Sequence, residues 1–136
     1  MKILTYNDYL INLLKGKECI LAYDTAADFL GLTNDGDSPE AKIFVLTEQN
    51  VEDTKQYLIP SFQSKEYIKK DGLLCTTVNQ TIIDLLEKEG EEQVIIESLS
   101  NYYFENGESF SGLTIPEHLK EKFDKYSIWA VEYYDE

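Results

Sequence analysis

The sequence predicts an α+β fold, a small β-sheet packed with several α-helices in one domain spanning residues 1–136. Three observations predict it. Apolar residues recur at helical spacing at the start of the chain, short β-rich runs fill its middle, and helical spacing returns over the last third. A chain of 136 residues with 43% hydrophobic content is long enough to bury a core. Although 28% of the residues are charged, ten tyrosines, six phenylalanines and one tryptophan are spread along the chain and supply apolar area that disordered sequences lack. No internal repeat or low-complexity linker divides it.

The elements follow in order. Thr5 with Asp8 forms a capping signature, and Tyr6, Tyr9, Leu10, Leu13 and Leu14 recur every three or four residues, predicting a helix over 6–15 closed by Gly16. Ala22, Ala26, Phe29 and Leu30 predict a second helix ended by Gly31. The turn-rich run TNDGDSPEA is a loop, and Lys42–Thr47 (KIFVLT) is a strand. Residues 56–62 form a second strand limited by Pro60, KKDG is a turn, and Leu73–Val78 (LLCTTV) is a third strand. Asn79 caps a helix over Gln80–Lys88 with a broad apolar face. Helical spacing resumes from Glu91 to about Phe104 and stops at Asn106-Gly107. Pro116, Leu119 and Phe123 open another helix, and the terminal IWAVEYY either extends it or forms a last strand.

Charge narrows the function. All twelve basic residues are lysines, set against 26 carboxylates for a net charge of −14. Phosphate recognition leans on the forked guanidinium, and so acidic a surface repels a polyanion, which argues against direct nucleic-acid binding. The partner this implies is a basic protein reached by electrostatic steering. Residues 1–86 carry 13 acids and 8 lysines; residues 87–136 carry 13 acids and 4 lysines and are therefore the more acidic part. That second part also holds tyrosines, which anchor interfaces. Glu91, Glu92, Tyr102, Tyr103, Tyr133, Tyr134, Asp135 and Glu136 are the partner-binding candidates.

Catalytic patterns are missing. Asp24 and Asp28 stand four apart on one helix face, a spacing compatible with magnesium or acid–base work, but also with a solvated acidic stripe near a helix start. His118 is the only histidine and has no nucleophile at a recognisable spacing, so it reads as an exposed helix residue. Ser98, Ser100, Ser109 and Ser111 lie outside any GxSxG frame, and the glycines form neither GxGxxG nor GxxxxGK[ST]. Asp84, inside the apolar helix TIIDLLEK, reads either as the one functional carboxylate or as a structural hydrogen-bond acceptor. No cofactor, no metal and no enzymatic activity are expected. Cys19 and Cys75 sit in apolar runs without CxxC and read as buried, reduced thiols. With no signal peptide and no apolar run of membrane length, a cytoplasmic location away from membranes is expected.

Two stretches resemble the core domain of the AbiEi-type antitoxins of type IV toxin–antitoxin systems. ILAYDTAADFLGLT (20–33) is similar to the family helix that runs into a Gly-Leu-Thr-like end, with Asp24, Asp28, Gly31 and Leu32 at the matching positions. GLLCTTVNQTIIDLLEK (72–88) is similar to its strand-to-helix segment with a Thr-apolar-apolar-Asp-Leu core, here Thr81, Ile82, Ile83, Asp84 and Leu85, and KIFVLT lies between the two. The resemblance covers roughly residues 18–100. It departs from the family in two places: the first 18 residues are too few for the N-terminal winged helix, and Asn79-Gln80 replace a common Glu-Arg. The resemblance implies an antitoxin to a magnesium-using nucleotidyltransferase-like toxin, one able to act on tRNA; the acidity points to neutralisation by direct binding, the other route being to counteract the toxin's product. A different class shares the acidity: a phage- or mobile-element-encoded inhibitor that mimics nucleic acid against a host defence nuclease.

Overall fold

A computed structural model describes residues 5–33, 40–88 and 91–132. Helix α1 (Tyr6–Leu14) begins at the expected capping box: the Asp8 N–H donates to Thr5 Oγ1 at 3.1 Å and the Thr5 N–H donates to Asp8 Oδ2 at 3.0 Å. Strand β1 (Ile20–Leu21) follows, then α2 (Tyr23–Phe29) and, beyond the loop, β2 (Ala41–Val45) and β3 (Thr54–Leu58). Strands β4 (Tyr67–Lys70) and β5 (Leu73–Thr76) form a hairpin, and α3 (Val78–Glu87), α4 (Glu92–Glu105) and α5 (Lys120–Glu132) complete the chain.

The α+β class is as the sequence predicts, with differences at several element ends. The sequence predicts no strand at β1, just before the second helix, and none at β4, whose last two residues belong to the KKDG run read as a turn. At that turn Asp71 and Gly72 take φ of 52° and 84°, the left-handed pair that a two-residue hairpin needs. β3 starts two residues before the expected strand and stops two residues before Pro60, in line with the proline ending it. Thr77, not Asn79, caps α3 by accepting from the Gln80 N–H at 3.2 Å. Asn79 instead clamps the 106–116 loop, donating to the Thr114 carbonyl at 3.2 Å and accepting from the Thr114 N–H at 2.8 Å. Residues 128–132 extend α5.

The sheet order is β3-β2-β1-β5-β4, with β1 antiparallel to β2 and parallel to β5. Alternation sends side chains to two faces. Leu21, Ala41, Ile43, Val45, Leu73 and Cys75 pack beneath α1 and α2 with Leu10, Leu14, Ala26 and Phe29. Ile20, Ala22 and Phe44 point the other way, into an aromatic layer with Tyr23, Tyr57, Phe62 and Tyr67. A third core joins Ala27 and Leu32 to the inner faces of α3, α4 and α5, with Leu99 fully buried among them. Both cysteines are buried and unpaired, and burial pushes their thiols up, to about 11 for Cys19 and about 12 for Cys75.

Leu99→Ala removes a side chain with no solvent exposure from the helical core. It is expected to cost about 2–5 kcal/mol. Urea denaturation checks this, and a loss below about 1 kcal/mol would mean that α4 is not held as described.

Candidate functional site

The two motif-bearing segments, far apart in sequence, meet where α2 packs on α3 through Ala27, Leu32, Ile82, Leu85 and Leu86. Tyr23 sits at this junction. It opens α2 directly after β1 with φ at 51°, a left-handed conformation that costs a bulky residue about 1–2 kcal/mol. Its ring packs 5.3 Å from Phe44 and 4.8 Å from Tyr57, centre to centre, and those contacts offset the strain. Burial, reinforced by the Asp84 carboxylate, pushes the Tyr23 phenol well above its usual range.

Asp24 is 8% exposed and holds the Lys42 ammonium at 2.7 Å. It is therefore no solvated stripe. The register of β2 and β3 sets Lys42 beside Lys55 and Phe44 beside Tyr57, all on the aromatic face of the sheet. Tyr23, Asp24, Lys42, Lys55, Tyr57, Leu85, Lys88 and Glu91 line a cavity of about 290 Å³ there. Lys88, just past α3, stands 4.5 Å from the Tyr57 ring centre and 5.9 Å from that of Tyr23.

Asp84 is 2% exposed, so it does not lie on a polar helix edge. Its Oδ1 takes a hydrogen bond from Lys65 Nζ at 2.8 Å and one from Gln80 Nε2 at 2.9 Å, while its Oδ2 is buried without a partner. Lys65 also lies 4.6 Å from the Phe44 ring centre, so this ion pair ties the segment before β4 to α3 across the aromatic layer. Desolvation outweighs the pull of Lys65 and Gln80, and the Asp84 carboxyl is held above its ordinary value.

The remaining motif residues are architectural. The Thr81 hydroxyl is buried 2.7 Å from the Thr76 hydroxyl and donates to the Thr77 carbonyl at 2.7 Å, fastening β5 to α3. Gly31 takes φ of 80° just past α2, and Leu32 is buried with its carbonyl accepting from Asn101 Nδ2 at 2.7 Å. Leu85 is buried in the helical core, whereas half-buried Asp28 faces Tyr6 closely enough to raise that phenol to about 12, after the larger effect of burial.

Of the partner-binding candidates, Glu91 and Glu92 are exposed at the start of α4. Tyr102 is half-buried and donates from its hydroxyl to the Ser111 carbonyl at 2.7 Å, and Tyr103 packs 4.8 Å from Phe110. Both tyrosines brace the 106–116 loop. An added Cβ at Gly112, where φ is 97°, would come within 2.7 Å of the Tyr102 hydroxyl. Tyr133, Tyr134, Asp135 and Glu136 lie outside the described residues. His118 is exposed with Nε2 3.0 Å from Glu87 Oε1.

Sequence reasoning did not single out the outward side of α5. Glu121, Asp124, Ile128 and Glu132 follow one another at helical spacing, all exposed, with Ile128 60% exposed and neighbouring Trp129 43% exposed. The signal was available in EKFDKYSIWAVE as carboxylates one turn to either side of an isoleucine. The α5 lysines have partners within the chain: exposed Lys120 pairs with Glu117 at 3.2 Å, Lys122 reaches the Leu86 carbonyl at 3.3 Å, and exposed Lys125 lies over the Tyr126 and Trp129 rings.

Among the described residues no three His, Cys, Asp or Glu side chains gather as a metal site, and no helix is long and apolar enough to cross a membrane. Compared with known protein families, curated proteins and solved structures, the chain matches none.

The Asp84 shift has a sign that can be measured. A carboxyl whose folded value is raised favours the fold when protonated, so its contribution is present below the unfolded value near 3.8 and is lost as pH rises through the folded value. Wild type should therefore lose stability relative to Asp84→Asn as pH rises from about 4. Urea midpoints of both proteins at pH 4 to 8 check this; parallel profiles would contradict it.

Proposed function

We propose that this chain is an antitoxin-like acidic binding protein that neutralises a nucleotidyltransferase-type toxin by direct contact, with no chemistry of its own. The observation that carries the reading is the outward stripe of α5. Glu121, Asp124 and Glu132 have no ion pair among the described residues and share the exposed side of α5 with Ile128 and Trp129, an apolar centre with carboxylates a turn away and the Lys125 ammonium over the Trp129 ring. Their charges suit the lysines and arginines that an RNA-handling toxin presents around its active site, and occupying those groups would exclude the RNA backbone. The resemblance of residues 20–33 and 72–88 to AbiEi-type antitoxins supports the same assignment.

The reading requires a nucleotidyltransferase gene abutting this one, and the test is co-expression with its product, followed by affinity measurement across salt concentrations; a neighbourhood without such a gene counts against it. A complex that weakens with salt is expected, as is a loss of at least about tenfold in affinity for the triple variant E121K/D124K/E132K. No co-elution at low salt, or full affinity in the triple variant, would overturn the reading.

A further inference from the structure

The cavity on the aromatic face of the sheet gathers three lysines, of which Lys55 and Lys88 are exposed at its mouth. Lys42 and Lys55 are cross-strand neighbours in the parallel pair β2–β3, and like charges placed side by side on one sheet face repel. Asp24 neutralises Lys42 at 2.7 Å. Lys55 has no ion pair among the described residues, and Lys88, just past α3, lines the same cavity, the two ammonium groups lying 5.7 and 4.5 Å from the centre of the Tyr57 ring. Neither lysine makes an ion pair among the described residues, in a chain with more than twice as many carboxylates as lysines. Counting Asp24 and Glu91, the lining still carries one more positive than negative group, a local inversion of the −14 of the whole protein.

We propose that this cavity is a binding site for a small phosphomonoester. Lys55 and Lys88 would hold the phosphate oxygens, while the Asp24–Lys42 pair fixes the cavity wall and Leu85 and Tyr23 contact the ligand's body. Glu91 favours a ligand that also bears a hydroxyl donor. A cavity of about 290 Å³ accepts a compound of a few carbons and not a nucleic-acid strand. The site uses none of the α5 residues and stands independently of the toxin-binding role.

Glycerol 3-phosphate and inorganic phosphate are the probes, titrated into isotope-labelled protein at constant ionic strength, with acetate as the carboxylate arm. Saturable amide shifts at residues 54–58 and around Lys88 are expected for the two phosphates. Affinity should fall at least tenfold in K55Q/K88Q and stay unchanged in K69Q, a lysine on the opposite sheet edge. Non-saturating shifts, shifts of equal size with acetate, or retained affinity in K55Q/K88Q would overturn the proposal. The wild-type titration decides even if the double variant folds poorly.

Discussion

The architecture depends on two residues. β1 is only Ile20–Leu21, yet it alone joins the β2–β3 pair to the β4–β5 hairpin, and both of its residues are fully buried. Its side chains serve opposite layers, Leu21 the aliphatic core under α1 and α2 and Ile20 the aromatic layer. So short a strand leaves the chain no length in which to turn gradually. The Ala22 N–H still donates to the Lys42 carbonyl at 2.9 Å, and at the next residue the backbone enters the left-handed region to start α2.

That abrupt turn places the polar groups. It brings Tyr23 onto Phe44 and Tyr57 and carries Asp24 to Lys42, while α2 comes to lie against α3. Asp84 then meets Lys65 at the margin of the same aromatic layer. Two of the three carboxylates that the sequence placed in motifs, Asp24 and Asp84, are thus neutralised inside the protein. Exposed carboxylates lie at the periphery, on α5 and at the start of α4 but also at Glu48, Glu52, Asp53 and Asp71 beside the sheet. The division is physical: a buried charge without a partner costs several kcal/mol, whereas exposed ones cost little and remain available to steer an encounter.

Much of the fold was legible because its signals are local. The Thr5–Asp8 capping box, the Asp71-Gly72 turn, Gly31 after α2 and the apolar periodicity of α3 each need fewer than a dozen residues to be read. β1 was hidden because two residues display no alternation, and the run Ile20-Leu21-Ala22 is equally consistent with the first turn of a helix. The site was hidden for a different reason. Lys65 and Asp84 are 19 positions apart, and the adjacency of Lys42 to Lys55 exists only in one strand register, since a slip of one residue would send Lys55 to the other face. Tyr102 resembled an interface anchor in composition, but its hydroxyl is spent on the Ser111 carbonyl, a contact that spacing does not announce.

Native-state hydrogen exchange on the amides of Ile20, Leu21 and Ala22 tests most directly whether this dipeptide holds the molecule together. If it does, these amides exchange only through global unfolding, with opening free energies equal to the total stability from denaturation and as high as any in α3 or α4. Exchange through a cheaper local opening that leaves the α3–α4 amides protected would show that the two parts of the sheet separate without unfolding the protein, and would contradict the account.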